Sequence, residues 1–176
     1  MKKRNIKEQC KKIKLIILDV DGVMTDGRII FDNNGNELKA FHVRDGHGIK
    51  MAIKAGLRMA IITGRQSRVV QIRAEELGIE DVFQGIKDKR VAYENLLDKY
   101  GLKEEETAFM GDDIVDIPLM KRAGLAGAPK DADKLTAKEA DFVSDKRGGR
   151  GAVRDFIEFV LKASGTWASF IEGSIA

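Results

Sequence analysis

LIILDVDG, residues 15–22, runs four apolar residues into two aspartates and a glycine. A short, continuously apolar run of this kind reads as a buried strand, and the alternation of extended chain lets Asp19 and Asp21 share one face while Val20 takes the other. Working outward, the same design recurs: LRMAIIT (57–63), a short DVFQG (81–85), TAFMGD (107–112) and DFVSD (141–145). Between these runs, residues 46–55, 66–77, 88–100 and 113–123 carry helical periodicity. Gly56, Gly78, Gly101 and Gly124 stand where helix ends are expected. Strands alternating with helices predict parallel β-α-β units, hence an α/β fold with a doubly wound parallel sheet of Rossmann-like type. In such sheets ligands bind beyond the carboxyl ends of the strands, so the polar residues that follow each apolar run become the candidates.

One segment breaks the rhythm. GRIIFDNNGNELKAFHV (27–43) places apolar residues on both sides of Asn34-Gly35, a hairpin pattern, and predicts a small flap over about residues 26–42 inserted after the first strand. A last helix is expected over 152–163, followed by a tail, about 164–176, that carries Trp167, Phe170 and Ile171. Those apolar side chains suit docking on a neighbouring subunit or an unstructured end equally well. With 176 residues, and neither repeat nor linker, one domain is the expectation.

Composition narrows the function. There are 31 Lys and Arg against 28 Asp and Glu, a net charge of +3, too diffuse for a nucleic-acid binder and better suited to small anions. LIILDV is too brief for a signal-peptide core or a membrane span, so a cytoplasmic protein without a membrane partner is expected. The one cysteine, Cys10, fits a reducing compartment, and its surroundings do not resemble an activated thiol.

Four strand ends carry the chemistry. Asp19 and Asp21 end the first. Thr63, Gly64 and Arg65 end the second, offering a hydroxyl and backbone amides to a phosphate oxygen and a guanidinium to a further anion. Lys89, at the head of the next helix, brings an ammonium to the same crevice. Asp112 and Asp113, with Asp116 one turn on, form a carboxylate cluster that repels itself unless a cation sits in it, and all-oxygen ligands favour Mg²⁺. Each feature has a plainer reading: a helix-entry turn for TGR, a solvated surface lysine for Lys89, a helix cap for GDD. Their coincidence supplies a nucleophile, an anion cradle, a cation and a metal site at one rim.

LDVDGVMTDG, TGR, the lysine of DKR and GDDIVD together resemble, in order and spacing, the four motifs of the haloacid dehalogenase superfamily phosphatases. The resemblance implies that Asp19 is the nucleophile and Asp21 the general acid and base, and that Thr63, Gly64 and Lys89 bind phosphate. It also implies Mg²⁺ held by Asp19, the main-chain carbonyl of Asp21 and Asp112, with Asp113 and Asp116 completing or supporting the site. Over residues 12–163, VMTDGRIIFDNNGNELKAFHVRDGHGIKMAIKAGLRMAIITGR and GGRGAVRDF resemble the 3-deoxy-D-manno-octulosonate (KDO) 8-phosphate phosphatase branch of lipopolysaccharide biosynthesis. That branch has no large cap domain and forms homotetramers whose neighbouring subunits help close each site. By resemblance Arg44, Asp45, Gly46 and His47, with Arg65 and Arg150, meet the sugar acid.

Arginines suit a substrate with both carboxylate and phosphate, since each pairs bidentately with such groups. For Arg44-Asp45 the alternative is a helix cap at Asp45, and for Arg150 a mobile surface position. His42 and His47 are not expected to bind the metal, because the acidic cluster is already all oxygen. Three competitors stand beside this reading: a phosphatase for a nine-carbon sugar acid such as a deaminoneuraminate or sialate 9-phosphate, a phospho-receiver signalling domain, and a non-catalytic scaffold. A receiver places its acidic pair first and its acceptor aspartate mid-chain, the reverse of the order here.

Overall fold

The computed structural model describes residues 5–168 and Gly173; Phe170 and Ile171 of the tail lie outside the described residues. Six parallel strands form the sheet: β1 (Leu15–Leu18), β4 (Arg58–Ile62), β5 (Asp81–Phe83), β6 (Thr107–Met110), β7 (Leu125–Ala128) and β8 (Phe142–Val143), in the order β5-β4-β1-β6-β7-β8. The chain winds from β1 toward β4 and β5, then returns to the other side for β6, β7 and β8. The order reverses between β1 and β6, where Leu18 pairs with Met110. That reversal opens a crevice at the carboxyl ends of both strands.

Alternation within the strands divides the core. Ile16, Leu18, Met59, Ile61 and Met110 pack on one face with α1 (Ile6–Lys12), α2 (Val43–Lys54), α3 (Arg68–Leu77) and α7 (Ala152–Ser164). Leu15, Ile17, Ala60, Ile62 and Phe109 pack on the other with α4 (Lys89–Tyr100) and α5 (Ile117–Arg122). All four residues of β1 are fully buried because helices cover both faces, as parallel strands require.

The sequence reading omits two α-helices and one strand. These are α1, the short α6 (Lys134–Glu139) and the strand β7, whose LAGA has neither a β-branched nor an aromatic residue. Its small side chains are a packing requirement: a Cβ on Gly127 would lie 2.7 Å from the ring of Phe156 in α7. Helix α2 begins at Val43, three residues before the expected start. Gly46 and Gly48 weaken the helical signal there. They are tolerated because a Cβ at either would strike an arginine, Arg73 at 2.2 Å and Arg154 at 2.9 Å respectively.

The flap is a two-stranded antiparallel hairpin, β2 (Ile30–Phe31) and β3 (Glu37–Leu38). Its turn rests on Asp32, whose carboxylate accepts from the amides of Asn34 and Asn36, both at 2.8 Å, and on Gly35 at φ +81°. Trp167, the described one of the three apolar tail residues, packs against the core on the α7 side beneath Lys162, 4.7 Å from its ring.

Candidate active site

The crevice between β1 and β6 is built by backbone geometry before side chains act. Asp19 continues β1, its amide donating to the Met110 carbonyl at 3.0 Å, so the carboxylate leaves the sheet at the strand end. The chain then turns through Gly22 at φ +88°, a conformation suited to glycine. A Cβ there would lie 2.0 Å from Asp112 Oδ2, so the Asp112 carboxylate sits against the bare Cα. Gly148 and Gly149 close the loop from the far side. A Cβ on the first would meet the Gly22 carbonyl at 1.7 Å, and one on the second the Thr25 carbonyl carbon at 2.5 Å. The sequence reading assigns Arg150 of GGRG to the sugar and gives no role to the glycines beside it, which buttress the loop carrying Asp19 and Asp21.

Asp19, Asp112 and Asp116 converge, with one carboxylate oxygen of each within 4.8 Å of the others. Lys89 enters between them, its Nζ 2.6 Å from Asp116 Oδ1 and 2.9 Å from Asp19 Oδ1. Lys89 occupies the first position of α4, where the helix dipole disfavours a cation, so helix stability does not explain its placement. Asp88 caps that helix by accepting from the Arg90 amide at 3.1 Å.

Asp116 is wholly buried, and Asp113 is not. Besides Lys89, Asp116 accepts from the amides of Asp112 (3.0 Å) and Asp113 (3.3 Å), tying down the loop after β6. Asp113 points its carboxylate to its own turn, accepting from the Ile114 amide at 2.7 Å. The two residues thus separate: Asp116 belongs to the cluster, and Asp113 caps a turn at its edge.

Burial pushes the Asp112 carboxyl up to about 7, with the charges of Asp19, Asp116 and Asp113 adding to the effect. Asp19 is pushed up to about 6 by burial, against the opposing pull of Lys89. Burial works against the charge on Lys89, but Asp19 and Asp116 outweigh it and hold the ammonium above its ordinary value. Asp19 Oδ1 is buried without a hydrogen bond and has only the ion-pair contact to Lys89. A divalent cation fits here on two counts: the donors are all carboxylate oxygens, and buried Asp19 Oδ1 has, among the described residues, no partner besides the Lys89 ammonium.

Thr63, buried, follows β4 beside this cluster; its amide donates to the Phe83 carbonyl at 2.9 Å, and Gly64 next to it is exposed. Arg65 turns to the flap, its guanidinium 3.2 Å from Glu37 and 3.7 Å from Asp21 Oδ2. Lys39 pairs with Asp21 Oδ1 and lies 3.4 Å from Glu37. The sequence reading missed both flap residues, although period-two alternation puts positions 37 and 39 on one face of the hairpin, with Leu38 on the other.

The expected sugar contacts divide. Arg44, His47 and Arg150 line a cavity of about 500 Å³ with Lys146 and Arg154, and with Asp155 and Glu158, so cations predominate on its wall without being alone there. Arg150 also lies 3.5 Å from Asp26, just beyond the Asp19 loop. Asp45 and Gly46 are buried. Asp45 caps a helix, but α7 and not its own: it accepts from the amides of Gly151 (3.1 Å) and Arg154 (2.8 Å). Its own helix is entered through His42, which makes no side-chain cap. Gly46 packs against Arg73. Neither residue offers a surface to a substrate. His47 Nδ1 contacts Arg154 at 3.1 Å, and His42 lies 3.8 Å from Asp45, so both histidines stand apart from the carboxylate cluster. Burial pushes the Cys10 thiol up to about 11, which leaves it unreactive.

Comparison with known proteins agrees with this geometry. A family model described as haloacid dehalogenase-like hydrolase matches residues 47–124. The 3-deoxy-D-manno-octulosonate 8-phosphate phosphatase KdsC of Salmonella typhi is 45% identical over 161 residues, 92% of this chain and 86% of that protein. The chain belongs to the KDO 8-phosphate phosphatase family of haloacid dehalogenase-like hydrolases. Among solved structures, the family's enzyme from Moraxella catarrhalis, in complex with a magnesium ion, a phosphate ion and a KDO molecule, superposes with a TM-score of 0.93 at 39% identity. The match covers 97% of this chain and 98% of that one. The cobalt-bound form from Haemophilus influenzae superposes with a TM-score of 0.86 at 40% identity, covering 89% and 92%.

Proposed function

We propose that this phosphatase hydrolyses 3-deoxy-D-manno-octulosonate 8-phosphate to the free sugar acid and phosphate, through an aspartyl-phosphate on Asp19, in lipopolysaccharide biosynthesis. The observation that carries the mechanism is Asp19 Oδ1: buried, without a hydrogen bond, and faced by Lys89 within a three-carboxylate cluster. The Moraxella relative, with magnesium, phosphate and KDO together, supports the substrate class.

Asp19 attacks phosphorus, the ester P–O bond breaks, and the leaving alkoxide takes a proton from Asp21. Water then attacks the aspartyl-phosphate and gives its proton to Asp21, while the bond from phosphorus to Asp19 breaks and phosphate leaves. Lys89, with the Thr63 hydroxyl and the Gly64 amide, holds phosphate oxygens as charge builds on them. Asp19, Asp112 and the main-chain carbonyl of Asp21 hold the metal, and Asp116 keeps the Asp112 loop and Lys89 in register. Mg²⁺, when bound, supplies the positive charge that offsets repulsion between the Asp19 carboxylate and the phosphate dianion.

Arg44, His47 and Arg150 form the basic wall that meets the sugar acid. The exposed apolar residues Ile29, Phe31, Leu38, Val43 and Ile72 support a homotetramer that covers them. Among the described residues no helix is long and apolar enough to cross a membrane, and work in the cytoplasm belongs to the same proposal.

The test is phosphate release from a panel of sugar-acid and ordinary sugar phosphates, with Mg²⁺ and after chelation. The octulosonate ester is expected to be strongly preferred, and chelation to remove activity. Equal rates across the panel would overturn the substrate, and full activity after chelation would overturn the metal's role.

A further inference from the structure

Lys39 is an anomaly on the flap. The hairpin around it is exposed, with Phe31 and Leu38 both more than half accessible, yet the Lys39 side chain is only 1% exposed. A lysine is seldom buried unless it is paired. Its partners are Asp21 Oδ1 and, at 3.4 Å, Glu37. Arg65 completes a ring, 3.2 Å from Glu37 and 3.7 Å from Asp21 Oδ2. The Ser67 hydroxyl, with Arg65 and Lys39 adding, holds Glu37 below the usual carboxylate range, so its charge is fixed in the ring.

Two cations and two carboxylates thus join the flap to the loop after β1. If the ring served only to fasten the flap, any acidic side chain on the sheet would suffice as its anchor. The side chain used is Asp21, two residues from Asp19. An ammonium on Oδ1 restricts the carboxylate's rotation and leaves Oδ2, 3.7 Å from Arg65 Nε and so outside hydrogen-bond distance of it, as the oxygen more open to carry a proton. A carboxylate only 21% exposed, paired on Oδ1 and flanked on Oδ2 by Arg65, is held in one orientation.

We infer that Lys39 is a positioning residue for the reaction: it sets the Asp21 carboxylate for proton transfer, so that placement of the flap and readiness of the acid are one event. The inference rests on the reading of Asp21 as general acid and base. Lys39 itself donates no proton and breaks no bond.

A double-mutant cycle on the Mg²⁺-loaded enzyme separates the two claims, with kcat and KM read for the octulosonate phosphate by single-turnover and steady-state assay. Lys39→Met is expected to lower kcat roughly tenfold or more, part of the 10²–10⁴-fold that proton transfer contributes, with KM changed less than about threefold. In an Asp21→Asn background the same substitution is expected to change kcat by about twofold or less, because its target is gone. Lys39→Arg is expected to restore most of the rate, since a second cation can hold Oδ1. Lys39→Gln, of similar length and uncharged, repeats the measurement should the methionine variant unfold.

Equal losses in both backgrounds would overturn the inference, as would a raised KM at unchanged kcat, which makes Lys39 a substrate ligand. Wild-type turnover by Asp21→Asn alone is a different failure: it removes the acid and base role and leaves the geometry of the ring in place.

Discussion

The two walls of the crevice are held by different means. On the sheet side, Asp19, Lys89, Asp112 and Asp116 are fixed by strand pairing, a helix start and loop amides, and Asp116 has no exposed surface. On the flap side, Asp21 is held by ion pairs to Lys39, from a hairpin of two-residue strands, and to Arg65, from the turn after β4, with Glu37 of the hairpin pairing with both cations. Chemistry that must not vary is placed where the backbone dictates position. Groups that admit and release substrate are placed where side-chain charge does, at lower cost of rearrangement. Removing a group that ties the sheet-side loops together should therefore lower turnover and stability together, and changes to the flap side turnover alone.

The sharpest break of that contrast is at the nucleophile. Asp19→Asn is expected to reduce kcat by on the order of 10⁴-fold or more, as loss of an attacking group does elsewhere. The metal-free variant should melt no lower than the parent, because a buried carboxylate short of hydrogen bonds has been neutralised. Retention of near-parental turnover would remove the aspartyl-phosphate route.

Next in size is Asp116→Ala, which strips Lys89 of one partner and the amides of Asp112 and Asp113 of their acceptor. Removing one member of a buried ion pair costs about 3–5 kcal/mol, and loss of a group that orients a metal ligand weakens affinity about 10–100-fold. Denaturant unfolding and Mg²⁺ calorimetry read the two effects. A variant with parental stability and weakened Mg²⁺ binding would instead make Asp116 a direct ligand with little part in the fold.

The same contrast explains what could be read from the sequence. Where a polar or charged residue follows an apolar run or opens a helix, local spacing is sufficient, and it puts Asp19, Thr63, Lys89 and Asp112 at strand or helix ends. Asp116 and Asp113 were inseparable in sequence, since burial decides between them and neighbouring acids carry no mark of it. β7 was hidden because Gly127 and its alanines answer to Phe156 rather than to strand propensity. A capping role for Asp45 was legible, but not that it serves α7, because the amides it meets lie more than a hundred residues away. Lys39 was hidden because its pairing depends on how the hairpin folds back over Asp21.

Metal and pH should act together on the sheet side. The Asp19 and Asp112 carboxyls, at about 6 and about 7 against an ordinary 3.8, keep protons in the folded metal-free protein that the unfolded chain has already released. The folded state therefore binds more protons between about pH 4 and 7, and stability of the metal-free protein falls as pH rises through that window. Bound Mg²⁺ favours the ionised carboxylates and should flatten the slope. Thermal midpoints at pH 5 and pH 8, with chelator and with Mg²⁺, are expected to show the larger metal-induced gain at pH 8. Asp112→Asn should lose much of the pH dependence of the metal-free protein. An equal metal-induced gain at both pH values would show that these carboxylates are not the groups that the cation relieves.

The smallest effect tests the border between the two walls. Asp45 stands among Arg44 and His47 in sequence, yet its carboxylate is spent on the first turn of α7. Loss of a capping acceptor costs about 0.5–2 kcal/mol. Asp45→Ala should thus lower the unfolding free energy by about that amount and leave kcat and KM for the octulosonate ester near parental values. Arg150→Ala, exposed and beside the basic cavity, should do the reverse: a raised KM for sugar-acid phosphates, an unchanged KM for p-nitrophenyl phosphate, and no loss of stability. If Asp45→Ala raised KM at constant stability, the cap would be incidental and the residue would belong with the sugar contacts after all.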